Sequence, residues 1–181
     1  MRVISGIRRG HKLKAPAGMD VRPTEDRVKE SLFNILGTIS PEALVLDMFA
    51  GSGGIGIEFL SRGARECYFL DKSRDSIKII GENLSHTKLE EAAKVIKTDS
   101  LRFLDRAESM GLSFDYIYVD PPFKEAELFT KVLEKISKKD ILGSDGLVLV
   151  EHEGEISLGE GDLSLVDERK YGNKYISFYK K

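Results

Sequence analysis

One stretch constrains the chain more than any other: Leu44-Val45-Leu46-Asp47-Met48-Phe49-Ala50-Gly51-Ser52-Gly53-Gly54-Ile55-Gly56. An apolar run ends in a carboxylate, four glycines follow within six positions, and helical spacing resumes through Ile57, Phe59 and Leu60. The pattern predicts a strand, a tight turn and a helix start. Glycines let backbone N–H groups approach a ligand, and the helix that begins here directs its partial positive end to the same place.

Gly51, Gly53 and Gly56 also satisfy the G-x-G-x-x-G spacing of dinucleotide-binding folds. Asp47 discriminates between ligands. A carboxylate at the strand end repels a pyrophosphate and attracts the ammonium and sulfonium of S-adenosylmethionine, SAM. The expected ligand is therefore SAM, held by Asp47, Phe49, Gly51, Ser52 and Gly53 on this turn. A turn with no ligand is the bland reading, and so many glycines make it conformationally costly.

The rest of the chain repeats the strand and helix alternation. Residues 22–37 read as a leading helix, with Thr24 as its N-cap, Val28, Leu32, Ile35 and Leu36 as its apolar stripe, and Gly37 as its stop. Strands are expected over 67–71, 93–97, 115–120 and 146–151. Helices are expected over 73–84 (capped by Ser73), 100–110 and about 125–137. Strand-like segments 163–167 and 175–179, joined through Gly172-Asn173, form a hairpin rather than a crossover. The fold class is therefore α/β, a doubly wound, mostly parallel sheet with an antiparallel C-terminal strand at its edge.

At 181 residues one well-cored domain is expected, with residues 1–20 as a basic arm, 22–37 as the leading helix and 44–181 as the α/β core. The lone Cys67 cannot form an intrachain disulfide, and no apolar signal core or membrane-length stretch occurs, so a soluble protein of the reducing cytoplasm is expected. Residues 1–30 carry eight basic side chains against four acidic ones, while the remainder is acidic. A basic arm on an acidic body points to a polyanionic partner. Arg8, Arg9, Lys12, Arg22 and Arg27 are the expected nucleic-acid contacts; a solvated charged face is the alternative for this segment.

Three carboxylates, Asp47, Asp71 and Asp99, end the first three expected strands, and ligands of doubly wound sheets lie along that edge. Asp71 stands twenty positions after Gly51, the spacing for an acceptor of ribose hydroxyls in either cofactor class. Asp99 can accept from an adenine amino group. At the fourth strand end, Asp120-Pro121-Pro122-Phe123 combines a carboxylate, a rigid turn with an outward carbonyl, and an aromatic plane. Those parts suit an exocyclic amino group on a base: two acceptors take its two N–H bonds and the ring stacks on the base. His11, His86 and His152 are scattered, so no metal site is expected.

With these residues in view the chain resembles the RsmD family of small-subunit ribosomal RNA guanine-N2 methyltransferases over essentially its whole length. Arg22-Pro23-Thr24-x-Asp26-Arg27-Val28-Lys29-Glu30-x-Leu32-Phe33-Asn34 is similar to that family's N-terminal signature. Leu46-Asp47-x-Phe49-Ala50-Gly51-Ser52-Gly53, Leu60-Ser61-Arg62-Gly63-Ala64 and Asp120-Pro121-Pro122-Phe123 are similar as well, though the last is shared with many methyltransferases. Gly54 departs from the pattern, where a larger apolar residue is expected. The resemblance implies a Rossmann-like sheet of the class I SAM-dependent type, a monomer, and a loop guanine of 16S rRNA in the assembling small subunit as substrate. It implies that Asp120, Pro121, Pro122 and Phe123 form the catalytic motif, without a metal. An adenine-N6 or other exocyclic-amine methyltransferase would use the same acceptors. An NAD-dependent oxidoreductase would keep the glycines but lack a substrate domain, and a non-catalytic RNA-binding module would leave the Asp120 motif unused.

Overall fold

The computed structural model describes residues 1–15, 23–121, 126–154, 156 and 161–181. Five strands run parallel: β1 (Leu44–Asp47), β2 (Glu66–Asp71), β3 (Ala93–Lys97), β4 (Phe114–Val119) and β5 (Leu142–His152). A terminal hairpin of β6 (Ser164–Tyr171) and β7 (Lys174–Lys180) adds to β5 antiparallel through β7, giving the order β3-β2-β1-β4-β5-β7-β6. The helices are α1 (Pro23–Leu36), α2 (Gly54–Ser61), α3 (Arg74–Thr87), α4 (Ser100–Ser109) and α5 (Ala126–Ser137).

Side-chain alternation along the buried strands builds two cores. Val45 of β1 and Phe69 of β2 pack with Leu32 and Phe33 of α1, Phe59 of α2 and Ile80 and Leu84 of α3. Leu44 and Leu46 point the other way, toward Phe103 and Leu104 of α4 and Val132, Leu133 and Ile136 of α5. Strands covered on both faces read as unbroken apolar runs, which is why β1 and β2 were plain in the sequence.

The first residues form a small hairpin against α2 and α3. Val3 N–H donates to the His11 carbonyl and Gly10 N–H to the Val3 carbonyl, both at 2.9 Å, and Arg2 bridges Lys12 antiparallel. Val3 and Leu13 turn inward into the core, while Arg2, Arg9 and Lys12 stay exposed.

Several boundaries differ from expectation. α1 opens at Pro23, so Thr24 lies within the helix rather than capping it; proline suits a first helical turn, whose N–H groups lack helical partners anyway. Its buried stripe is Val28, Leu32 and Phe33, with Ile35 41% exposed, because Phe33 packs edge-on against Phe59 at 4.7 Å. α3 runs three residues past the expected end, to Thr87, whose hydroxyl donates to the Asn83 carbonyl at 2.8 Å. β4 stops at Val119, leaving Asp120 just beyond it, and β5 begins at Leu142 across a register shift between Phe114 and Tyr116.

Candidate active site

The chain runs from β1 outward to β2 and β3, then returns to β4 on the other side of β1. The crevice beyond the carboxyl ends of β1 and β4 is thus the switch point at which doubly wound sheets hold ligands. Asp47, the last residue of β1, stands opposite Phe69 and Tyr118. The Met48 amide donates to the Tyr118 carbonyl at 3.0 Å, and the Ser100 hydroxyl donates to the Met48 carbonyl at 2.6 Å, fixing where the turn leaves the sheet.

Side chains then pin the turn at alternate points. Asp71 accepts the Gly51 amide proton at 3.0 Å through one oxygen and the Ser73 amide proton at 2.8 Å through the other. Asp47, only 2% exposed, accepts the Gly56 amide proton at 3.1 Å. Burial pushes the Asp47 carboxyl up to about 7, against the Gly56 hydrogen bond that favours its ionised form. Gly53 has φ 78°, in the region glycine tolerates best. A Cβ on Gly56 would lie 2.3 Å from the Phe69 ring, so that glycine sets the approach of α2 to β2. At Gly54 a Cβ would lie 2.3 Å from the Met1 sulfur. The arm thus fills the space where a larger residue was expected.

The remaining expected residues separate into groups. Phe49 is half-buried against the α4 side of the core, and Ser52 is buried. Asp99 is exposed and serves as N-cap of α4, accepting the Arg102 amide proton at 3.1 Å. It therefore has a structural partner at the edge where an adenine acceptor was expected. Asp120 is half-buried past the end of β4, and Pro121 is buried. Pro122 and Phe123 lie outside the described residues, as does Arg22.

Sequence reading missed a polar cluster beside Asp120. The Tyr118 hydroxyl donates to Glu151 at 2.6 Å, and Lys174 pairs with the same carboxylate. Val119 stands opposite Val150, so Glu151, still within β5, lies at the level where Asp120 follows the end of β4. Only strand pairing brings these positions together, so local sequence carried no signal for them.

The basic residues also divide. Arg9 and Arg27 face a cavity of about 410 Å³ between the arm and α1, lined too by Arg2, Asp26 and Glu30. Arg2 pairs with Asp26 at 3.5 Å. Arg8 instead turns inward: its guanidinium donates to the Lys88 carbonyl at 3.3 Å, at the end of α3. Lys12 is exposed on the bridge opposite Arg2. Among the described residues no cluster of three or more His, Cys, Asp or Glu side chains could hold a metal, and no helix is long and apolar enough to cross a membrane.

A family model described as Conserved hypothetical protein 95 matches residues 1–180. The chain is 42% identical over 183 aligned positions to YlbH of Bacillus subtilis, provisionally named an rRNA methyltransferase, covering 100% of this chain and 99% of that one. It is 35% identical over 158 positions to ribosomal RNA small subunit methyltransferase D of Escherichia coli K12, covering 87% of this chain and 77% of that one. The solved structure of yhhF from Escherichia coli, provisionally named a methyltransferase, superposes with a TM-score of 0.85 at 33% identity, covering 99% of this chain and 96% of that one.

Proposed function

We propose a function from one premise, that the chain belongs to the RsmD family, whose model is described as Conserved hypothetical protein 95: the protein transfers a methyl group from SAM to the exocyclic N2 of a guanine in 16S rRNA. The observation that carries this reading is the glycine turn pinned by Asp47 and Asp71 beside the Asp120-Pro121 exit of β4. The names of the relatives support the RNA substrate and the small subunit. The same reading makes the protein a cytoplasmic monomer that meets its substrate during ribosome assembly.

The turn residues suit this cofactor. Asp71 is held by two amides, yet each carboxylate oxygen can accept a further bond, as paired ribose hydroxyls require. Asp47 offers a buried acid to a cationic group, and the glycines expose backbone at the helix start. SAM, when bound, supplies an electrophilic methyl group on a sulfonium.

Guanine N2 is a poor nucleophile because its lone pair delocalises into the ring. The Asp120 carboxylate and the Pro121 carbonyl accept its two N–H bonds and orient the lone pair toward the cofactor, a proximity and orientation effect. Asp120 takes the proton that N2 sheds after transfer. Phe123, by the same reading, stacks on the base.

Asp120→Ala removes one of the two acceptors, so single-turnover methylation should fall about 100-fold or more. S-adenosylhomocysteine affinity should change little. Asp120→Asn keeps an acceptor oxygen and should retain partial activity. Near-normal turnover in Asp120→Ala would remove this residue from the mechanism.

A further inference from the structure

Asn83 of α3 is 1% exposed, and its amide joins two parts of the molecule that are distant in sequence. Its Nδ2 donates to the Ser52 carbonyl in the glycine turn and to the Lys14 carbonyl in the arm, both at 2.9 Å, while its oxygen accepts the Lys14 amide proton at 2.8 Å. Both amide hydrogens are therefore used, one on each element. The bond to Ser52 is buried, so its loss leaves a polar group unsatisfied.

The arm is held along its length by the same two helices. Glu58 of α2, fully buried, accepts the Ile4 and Ser5 amide protons at 2.8 and 3.0 Å. Ser61 donates to the Ser5 carbonyl at 2.6 Å and accepts from the Arg8 amide at 3.0 Å. A Cβ on Gly6 would lie 1.8 Å from the Ser61 carbonyl oxygen, so the backbones are in close contact there. At the other end, Met1 lies over Gly54 and accepts a weak bond from Ser52 at 3.8 Å.

We propose that Asn83 is a positioning residue that couples the RNA-contacting arm to the cofactor turn, so that rRNA and SAM bind with positive cooperativity. The inference rests on the reading of the arm as an RNA contact and of the turn as the cofactor site. The turn has three side-chain pins: Asp71 on Gly51, Asp47 on Gly56 and Asn83 on Ser52. The first two belong to residues assigned to the cofactor; the third belongs to α3 and holds the arm at Lys14 as well. RNA phosphates that draw on exposed Arg9 and Lys12 order the arm against Asn83, and the Ser52 carbonyl is ordered through the same amide. A ligand at either place then meets less disorder at the other, and the coupling is reciprocal.

Hydrogen exchange on the wild-type protein tests this without a variant. Unmethylated small ribosomal subunits, added without cofactor, should slow amide exchange over residues 51–56 several-fold, and S-adenosylhomocysteine alone should slow exchange over residues 2–14. S-adenosylhomocysteine should bind about five-fold or more tightly with subunits present, within the usual range of such coupling. Asn83→Ala should bring that factor to one, whereas mere loss of stability would leave it unchanged in the folded fraction. If Asn83→Ala does not fold, the wild-type exchange and affinity data decide alone. Equal affinity with and without subunits, with no protection of the turn, would overturn the coupling while leaving methyl transfer intact. A folded Asn83→Ala with the wild-type factor would remove Asn83 from the path. Absence of methyl transfer to those subunits would instead overturn the proposed function.

Discussion

The buried Asp47 carboxylate accepts the Gly56 amide proton at 3.1 Å and so closes the turn from the strand end to the second residue after Gly54, leaving one acid without a cationic partner beneath the proposed cofactor. Burial holds that acid half-protonated at about pH 7. A bound cation favours the ionised form and lowers the value, so binding releases a proton below about pH 7. SAM affinity should therefore fall as pH drops below about 7 and be insensitive to this group above it. Calorimetry in two buffers of different ionisation enthalpy reads the released proton directly. Asp47→Asn should bind more weakly and release none; an unchanged proton count in that variant would dissociate Asp47 from the cofactor.

Glu58 carries the second prediction. Its carboxylate meets Arg62 at 2.9 Å and Lys29 at 3.4 Å, and Lys29 also donates to the Arg2 carbonyl at 2.6 Å. Burial holds the Lys29 ammonium below the usual lysine range, and Glu58 opposes that shift. Removing one member of such a cluster leaves a buried charge uncompensated, so Glu58→Ala should cost about 3–5 kcal/mol in denaturant unfolding. A loss under about 1 kcal/mol would mean the cluster is hydrated.

Arg9 and Arg27 project into one cleft from two elements, the arm and α1. Replacing both with alanine should weaken RNA binding and lower the slope of log affinity against log salt by about one per lost phosphate contact. S-adenosylhomocysteine binding should not move. An unchanged slope would reduce the cleft to a solvated face. Arg8→Ala makes a contrasting control, since its guanidinium is engaged at the end of α3 and its loss should cost stability more than salt dependence.

The mostly parallel sheet and the glycine turn are legible because buried parallel strands and turn glycines leave local marks. Ser73 announced α3 by its cap, and the structure has it accepting from the Ser76 amide. What escaped reading depends on contacts between distant segments. Ile35 has the spacing of a core residue, but the packing of Phe33 on Phe59 rotates α1 and exposes it. Glu58 carries no local mark of its role, because both its oxygens are used by the arm, 53 and 54 residues earlier. Asn83 carried no motif at all. Arg8 and Arg9 are neighbours in sequence and identical in kind, yet one turns inward and the other lines the cleft. The start of β5 is hidden by Gly143, Ser144 and Asp145, a turn-like string that the structure places within the strand.

The most direct measurement is transfer of labelled methyl from SAM to unmethylated small ribosomal subunits, to naked small-subunit rRNA and to DNA, with the modified nucleoside identified by mass spectrometry. The account predicts label in rRNA as N2-methylguanosine, lost in Asp120→Ala and absent from DNA. Label on adenine N6, label in DNA, or no label with the protein folded and S-adenosylhomocysteine bound would contradict it.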